Sequence, residues 1–351
     1  MAERAGLVRP DILELEPVVH GSVAATELAE FGLDPSAVLD FSVNTNPLGP
    51  APSVLEAVRE TDWSRYPGDD ERPLRCRLAQ QAGVASDQVM LGNGSAELMW
   101  LIALACFRTG DLVGIVGPTF GEYARAVRVV GATPIELGDP DFDRPLRALF
   151  LCNPNNPTGT YRPAEEIERL LQEEPHRLVV LDEAYASFVG ERWRSEALLA
   201  YGNLIILRSM TKDHAVPGLR LGYLLAEPAV ASAVERVRPP WSVNAGALRA
   251  GLAALEPAAE EHVRRARCLV GEARGLLSNG LTKLGLSVEP SLANFVLVRV
   301  GDGARFRRAL LPHGIVVRDC ASFGLPDCVR IACRSPEECE RLLETIARVR
   351  S

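Results

Sequence analysis

Lysine is nearly absent from this 351-residue chain. Of its 38 basic residues only Lys212 and Lys283 are lysine, and the other 36 are arginine. A surface cation can be either type, but a guanidinium does not lose its proton in a protein and cannot act as an amine. An ammonium whose pKa is lowered by burial or by neighbouring charge can become a nucleophile and form a Schiff base. Lys212, within ILRSMTKDHAVPGLRLGY (206–223), is the candidate. Taken alone its retention is better explained by chance, the reading that suits Lys283 in SNGLTKLGLS, so its neighbours must decide.

Short apolar strands alternate with helical patterns around that lysine. LVGIVG (112–117), ALFLC (148–152), LVVL (178–181), LIILRS (204–209) and GYLLA (222–226) read as strands, and YARAVRVVG (123–131) and PAEEIERLLQEE (163–174) as helices. Strands apolar on both faces, separated by helices, predict an α/β domain on a mainly parallel sheet. GYLLA follows LIILRS too closely for a helical crossover, so it is expected either antiparallel at an edge or inserted elsewhere. After residue 245 the pattern changes to a long helical stretch (246–278), then NFVLVRV (294–300), a helix near 303–313, IVVRD (315–319), VRIAC (329–333) and a last helix from Pro336. The division expected is a large domain over 41–245 and a small α+β domain over 246–351, with segment 1–40 packing on the latter.

Ligands of open α/β sheets bind beyond the carboxyl ends of the strands. ALFLC runs into NPNNPTG (153–159), LVVL into DEAY (182–185), and LIILRS into Lys212. Two prolines, three asparagines and a glycine in seven residues are more constraint than an ordinary turn requires. Asp182, at a strand end, needs a cationic or N–H partner if it is buried; the plainer reading is a solvated capping acid. In LGNGSAEL (91–98) small residues open a helix, where backbone N–H groups and Ser95 can cradle a phosphate; an ordinary turn with a serine cap would look the same. Arg220, past Pro217-Gly218, is placed to turn back on an anion that Ser209 and Thr211 also face, against the default of a surface ion pair.

The totals set limits. With 47% hydrophobic and 24% charged residues the composition is that of a globular protein. A net charge of −8 and the lack of a basic run argue against nucleic-acid binding. Eight scattered cysteines make no usual zinc spacing and read as reduced thiols of a cytoplasmic protein. No apolar signal segment is seen at the N-terminus, and the longest apolar run, Leu98 to Phe107, is too short to span a membrane.

In combination these motifs, in this order and over essentially the whole chain, resemble the fold-type-I pyridoxal-phosphate aminotransferase superfamily. The resemblance implies a large domain with a mainly parallel seven-stranded sheet flanked by helices, a smaller α+β C-terminal domain, and pyridoxal 5'-phosphate as cofactor. It makes Lys212 the Schiff-base lysine and proton carrier, Asp182 the partner of the pyridine nitrogen, and Asn156 and Tyr185 the pair on the phenolic oxygen. Gly94, Ser95, the Ala96 backbone, Ser209, Thr211 and Arg220 become the phosphate cup, and Phe120 the aromatic stacked on the ring. Tyr66 is the tyrosine that reaches the neighbouring subunit's phosphate, which implies a homodimer with shared sites. Arg330 becomes the grip on the substrate carboxylate, with Asn44 and His20 also on the substrate side. A cofactor-binding regulator is expected to carry an extra DNA-binding domain, for which this chain leaves no room.

Within the superfamily the chain is similar to the histidinol-phosphate aminotransferase and threonine-phosphate decarboxylase group. His20-Gly21, LDFSVNTNPLGP (39–50), PPWSVNAGAL (239–248) and VVRDCASFGLP (316–326) lean toward the decarboxylase of cobalamin biosynthesis. Ser22-Val23 after His20-Gly21, and Asp213-His214 after the lysine, depart from that pattern and are expected to bear on the substrate side. The bond that breaks is the one held perpendicular to the ring, so a carboxylate near the ring plane leads to amino transfer and one turned out of plane to loss of CO₂. The expectation is a transaminase acting on a small amino substrate, an amino acid or amino-alcohol phosphate, with a keto-acid acceptor; decarboxylation is the alternative.

Overall fold

The computed structural model describes residues 7–18, 21, 23–67, 70–140, 144–189 and 194–350. The chain opens with short helices α1 (Pro10–Leu13) and α2 (Ala25–Glu30) and strand β1 (Leu39–Asp40). Helices α3 (Pro52–Arg59) and α4 (Glu71–Ala82) lead into β2 (Val89–Gly92), α5 (Gly94–Cys106), β3 (Leu112–Val116), α6 (Glu122–Val129) and β4 (Thr133–Leu137). Then come β5 (Ala148–Cys152), α7 (Ala164–Glu173), β6 (Leu178–Asp182), β7 (Leu204–Ser209), β8 (Gly222–Ala226) and α8 (Pro228–Glu235). These seven strands form one sheet in the order β2-β8-β7-β6-β5-β3-β4. Only β8 runs against its neighbours. It is inserted between β7 and β2 rather than added at an edge, so Gly222 lies opposite both Ser209 and Gly92.

Side chains alternate across each strand, and each face has its own core. Leu149, Leu151, Val179 and Leu181 pack on the α3, α4 and α7 side, while Phe150, Cys152 and Val180 pack toward α5 and α6. Period two therefore puts Asp182 on the α5–α6 face, directly across from Cys152. That is why a strand end buried on both sides can present a carboxylate to a helix.

The helical stretch beyond 245 is two helices, α9 (Ala245–Ala254) and α10 (Pro257–Lys283), because Pro257 opens a new one at the position where its missing N–H costs nothing. Ala247, Leu248, Ala250 and Ala254 complete the core of the large sheet. The remainder comprises β9 (Ser287–Val288), β10 (Phe295–Arg299), α11 (Gly303–Leu310), β11 (Ile315–Val316), β12 (Arg318–Asp319), β13 (Cys328–Ala332) and α12 (Pro336–Arg350). IVVRD thus splits between two sheets: β11 pairs in parallel with β1, and β12 joins the antiparallel sheet β12-β13-β10-β9. The N-terminal segment lies against this second core, with Leu28 packed on Leu311 and Val316 and Glu27 paired with Arg307. Among the described residues no helix is long and apolar enough to cross a membrane.

Candidate active site

One cleft of about 510 Å³ opens where the strands of the large sheet end and the second sheet approaches. Its inner end is built at the junction of β2, β8 and β7. Helix α5 begins there, so the amides of Ser95 and Ala96 are among the N–H groups without an intrahelical acceptor. Gly94 has φ +79°, and a Cβ on it would lie 2.6 Å from Arg220 Nη2. A Cβ on Gly222 would lie 2.6 Å from Ser95 N. Both glycines are therefore required by close approach. Ser209 and Thr211 bring their hydroxyls to 2.7 Å of each other, and Arg220, held in the left-handed region at φ +57°, turns its guanidinium onto the same spot. A helix N-terminus, two hydroxyls and an arginine form a site for a dianionic phosphate.

The floor is Asp182, only 3% exposed. Its Oδ1 accepts from Ala184 N at 2.9 Å and its Oδ2 from Tyr123 Oη at 2.6 Å. Burial pushes the carboxyl pKa up, and those two hydrogen bonds pull it back. On the wall, Asn44 Nδ2 lies 3.5 Å from Tyr185 Oη, while Asn44 Oδ1 is buried without a partner. Of the three asparagines in the 153–159 turn, two are staples. Asn153 exchanges hydrogen bonds with the backbone of Arg162 at 2.8 and 3.0 Å; Asn155 ties to Thr119 Oγ1 and Pro118 O, fixing the loop that carries Phe120. Asn156 alone faces the cleft, its Oδ1 accepting from Arg330 Nη1, which leaves its N–H₂ to donate. Phe120 lines the opposite wall.

Burial, with Arg330 and Arg220 near by, lowers the Lys212 pKa to about 8, against the opposing pull of Asp182. At pH 7 about a tenth of such an amine is neutral, against roughly three parts in ten thousand of an ordinary lysine. Capture of an aldehyde by the cofactor-free protein needs the neutral amine. Its rate, read by absorbance, is expected to rise about tenfold per unit up to roughly pH 8 and then level off. A rise continuing to about pH 10 would contradict this environment.

The outer end of the cleft belongs to the second sheet. Arg318 and Arg330 are directly opposed partners on β12 and β13, and both are buried, at 5% and 6% exposure. Arg330 Nη2 donates to Ser42 O at 2.8 Å and its guanidinium lies 5.3 Å from the centre of the Phe295 ring. Arg318 Nη2 donates to Ser322 Oγ at 2.6 Å, over the face of Phe323. Like charges facing each other in a buried sheet are unfavourable unless an anion lies between or beyond them. Gly21 threads past both, since a Cβ there would meet Ser42 O at 2.8 Å and Arg318 Cδ at 3.3 Å.

All the sequence-derived site residues converge here except two. Tyr66 is 75% exposed and stacks on Trp241 away from the cleft; His20 lies outside the described residues. Asp213 and His214, expected to bear on the substrate side, are not among the residues lining this cleft. They line a separate cleft with Glu183, Glu196 and Arg208, because the turn after Lys212 carries them to its far side. Tyr123 and Arg318 were not singled out by sequence reasoning. Tyr123 sits three residues after Phe120 on a helix, a spacing that could have flagged it; Arg318 is one arginine among many and carries no such signal.

The chain belongs to the aminotransferase class I and II family, whose model matches residues 36–346. It is a pyridoxal 5'-phosphate-dependent aminotransferase of fold type I, in the group that holds the histidinol-phosphate aminotransferases. In particular, it is 36% identical to histidinol-phosphate aminotransferase 2 of Pseudomonas fluorescens over 98% of this chain and 97% of that protein. The histidinol-phosphate aminotransferase of Sinorhizobium meliloti, solved in complex with pyridoxal-5'-phosphate, superposes with a TM-score of 0.86 at 25% identity, covering 97% of both chains. The L-threonine-O-3-phosphate decarboxylase of Porphyromonas gingivalis gives 0.79 at 28% identity, covering 89% of this chain and 99% of that one. The cleft fits the cofactor on its own terms: a phosphate cradle kept open by Gly94 and Gly222, a buried carboxylate, and an amine near its working pKa.

Proposed function

We propose that this enzyme moves the amino group of a phosphorylated amino alcohol, with L-histidinol phosphate the first candidate, to a 2-oxo acid. The observation that carries this reading is the opposed pair Arg318 and Arg330 at the mouth of a cleft already lined by Lys212 and Arg220, in a chain of net charge −8. Such a pair suits one phosphate dianion spanning both guanidiniums, or a dicarboxylate with one carboxylate at each. It therefore serves both half-reactions, since histidinol phosphate has no carboxylate and an acceptor such as 2-oxoglutarate has two.

Bound pyridoxal 5'-phosphate supplies the aldehyde that takes up the amino group and the ring that withdraws electrons from the substrate Cα. Ser95, the Ala96 amide, Ser209, Thr211 and Arg220 would hold its phosphate, Asp182 its pyridine nitrogen, Asn156 and Tyr185 its phenolic oxygen, and Phe120 one face of its ring. Lys212 Nζ would hold the aldehyde carbon and, once the substrate amine displaces it, would take the proton from Cα and deliver it to that former aldehyde carbon, across the amino nitrogen. Arg330, by holding the substrate's anionic group, would orient the substrate so that its Cα–H bond faces Lys212 Nζ. Arg330 is itself fixed by Asn156 and Ser42.

Purified enzyme with L-histidinol phosphate and 2-oxoglutarate is expected to turn over steadily. The second reading, decarboxylation of O-phospho-L-threonine, is supported by the likeness to the P. gingivalis decarboxylase. Sustained CO₂ release from that compound without a keto acid would establish it and overturn the first. Arg330→Ala and Arg318→Ala should each raise KM for the phosphorylated substrate about a hundredfold, as removal of a buried charge partner costs about 3 kcal/mol. Unchanged KM in both variants would mean that the anion binds elsewhere.

The assembly proposed is a homodimer. Trp63, Tyr66 and Trp241 are 62%, 75% and 52% exposed, and Trp241 holds a left-handed backbone at φ +54°. An exposed stacked pair, Tyr66 on Trp241, with the strained backbone at Trp241 itself, suits a subunit interface better than open solvent. A cytoplasmic setting accords with the eight free cysteines.

A further inference from the structure

Tyr123 is completely buried, yet the chemistry above assigns it nothing. Its ring stacks on Phe150 at 5.1 Å and 17°, and meets Phe120 edge-on at 5.7 Å and 83°. The ring is thereby locked between the strand that carries Cys152 and the wall of the cleft. A buried phenol needs a partner for its O–H, and this one donates to Asp182 Oδ2 at 2.6 Å. The Cys152 thiol, directly across from Asp182, donates to Pro154 O at 3.2 Å instead. With Oδ1 taken by Ala184 N–H, each carboxylate oxygen is tied by one donor and retains a lone pair.

We infer that Tyr123 is a positioning residue for the reaction, its hydroxyl fixing the Asp182 carboxylate as an acceptor aimed at the pyridine nitrogen. The inference rests on the pyridine role proposed for Asp182. The bond does more than aim. A carboxylate enclosed by apolar walls tends to take up a proton, and a protonated Asp182 no longer stabilises a positive pyridine. The O–H of Tyr123 opposes that tendency, and burial together with the Asp182 charge keeps the phenol from losing its own proton. The titratable groups around Asp182 are Tyr123 on α6, Cys152 on β5, Glu183 and Tyr185 beyond its own strand, and Lys212 after β7. Of these, Tyr123 donates a hydrogen bond to the carboxylate and Lys212 titrates near 8, so the acid limb can be read apart from the amine.

Tyr123→Phe keeps the stacked ring and removes only the hydroxyl. Cofactor affinity at neutral pH is expected to fall about tenfold, and the acid limb of cofactor binding to move up by about one pH unit. The value of kcat should fall while KM stays near wild type. A merely structural tyrosine would leave the acid limb in place, and that result would overturn the inference. Should the variant fold poorly, 3-fluorotyrosine placed at position 123 provides the complementary test. As a stronger donor it should move the limb down, and an unmoved limb counts against the inference equally. The cycle with Asp182→Asn separates the two claims. If Tyr123 acts through Asp182, adding Tyr123→Phe to Asp182→Asn costs no further affinity, whereas additive losses contradict it. If Asp182→Asn alone leaves affinity and turnover intact, the pyridine role of Asp182 fails instead.

Discussion

Lys212→Ala is expected to lower turnover by at least about 10⁴-fold, because it removes both the proposed covalent anchor and the group proposed to move the Cα proton. No other amine lines the cleft among the described residues, and the guanidiniums of Arg220, Arg318 and Arg330 cannot substitute. The fold should not suffer. A lysine whose pKa falls from 10.5 to about 8 on folding is a destabilising charge below about pH 8, and that penalty fades as pH rises toward 10.5. At pH 7 it amounts to about 3 kcal/mol, an upper figure that offsets the packing lost with the side chain. The cofactor-free variant should therefore melt at or above the wild-type temperature. Retained turnover would remove Lys212 from the mechanism, and a collapsed melting curve would make the loss of activity uninformative.

Asp182→Asn should show the second largest effect, a fall in kcat of roughly 10³-fold with cofactor still bound. The amide has the same shape and can still accept one hydrogen bond. It carries no charge, and in a site this dry a fixed charge is worth far more than at the surface. The bound cofactor's absorption should shift as the pyridine nitrogen loses its proton. Near-normal kcat with an unchanged spectrum would show that the carboxylate does not face the ring.

Much of this site was legible because its residues are improbable where they stand. One of only two lysines in an arginine background, an acid ending an apolar strand and three asparagines in one turn each break a local rule. Residue type alone could not tell which asparagine faces the cleft, since the three differ only in the partners they find once folded; the family resemblance pointed to Asn156. The bond from Tyr123 to Asp182 spans 59 residues, and its one local trace is the three-residue spacing of Tyr123 from Phe120. Central strands such as β5, β6 and β7 were legible because both faces are buried. By contrast β4, a half-exposed edge strand with Pro134 and Glu136, lacks a clean alternation. The place of β8 between β7 and β2 depends on sheet order, which spacing along the chain does not encode.

The bond-breaking groups stand on the parallel sheet and its loops, whereas Arg318 and Arg330 stand on an antiparallel sheet with a core of its own. Arg330 couples the two sets, since it holds Asn156 and helps lower the Lys212 pKa, but Arg318 has no such tie. On the roles proposed above, substitutions on β12 and in the turn after it would redefine which anion is accepted with little effect on the proton-transfer apparatus. A fold divided in this way lets substrate choice drift while the chemistry stays constant, and it locates where a library meant to redirect this enzyme should be built.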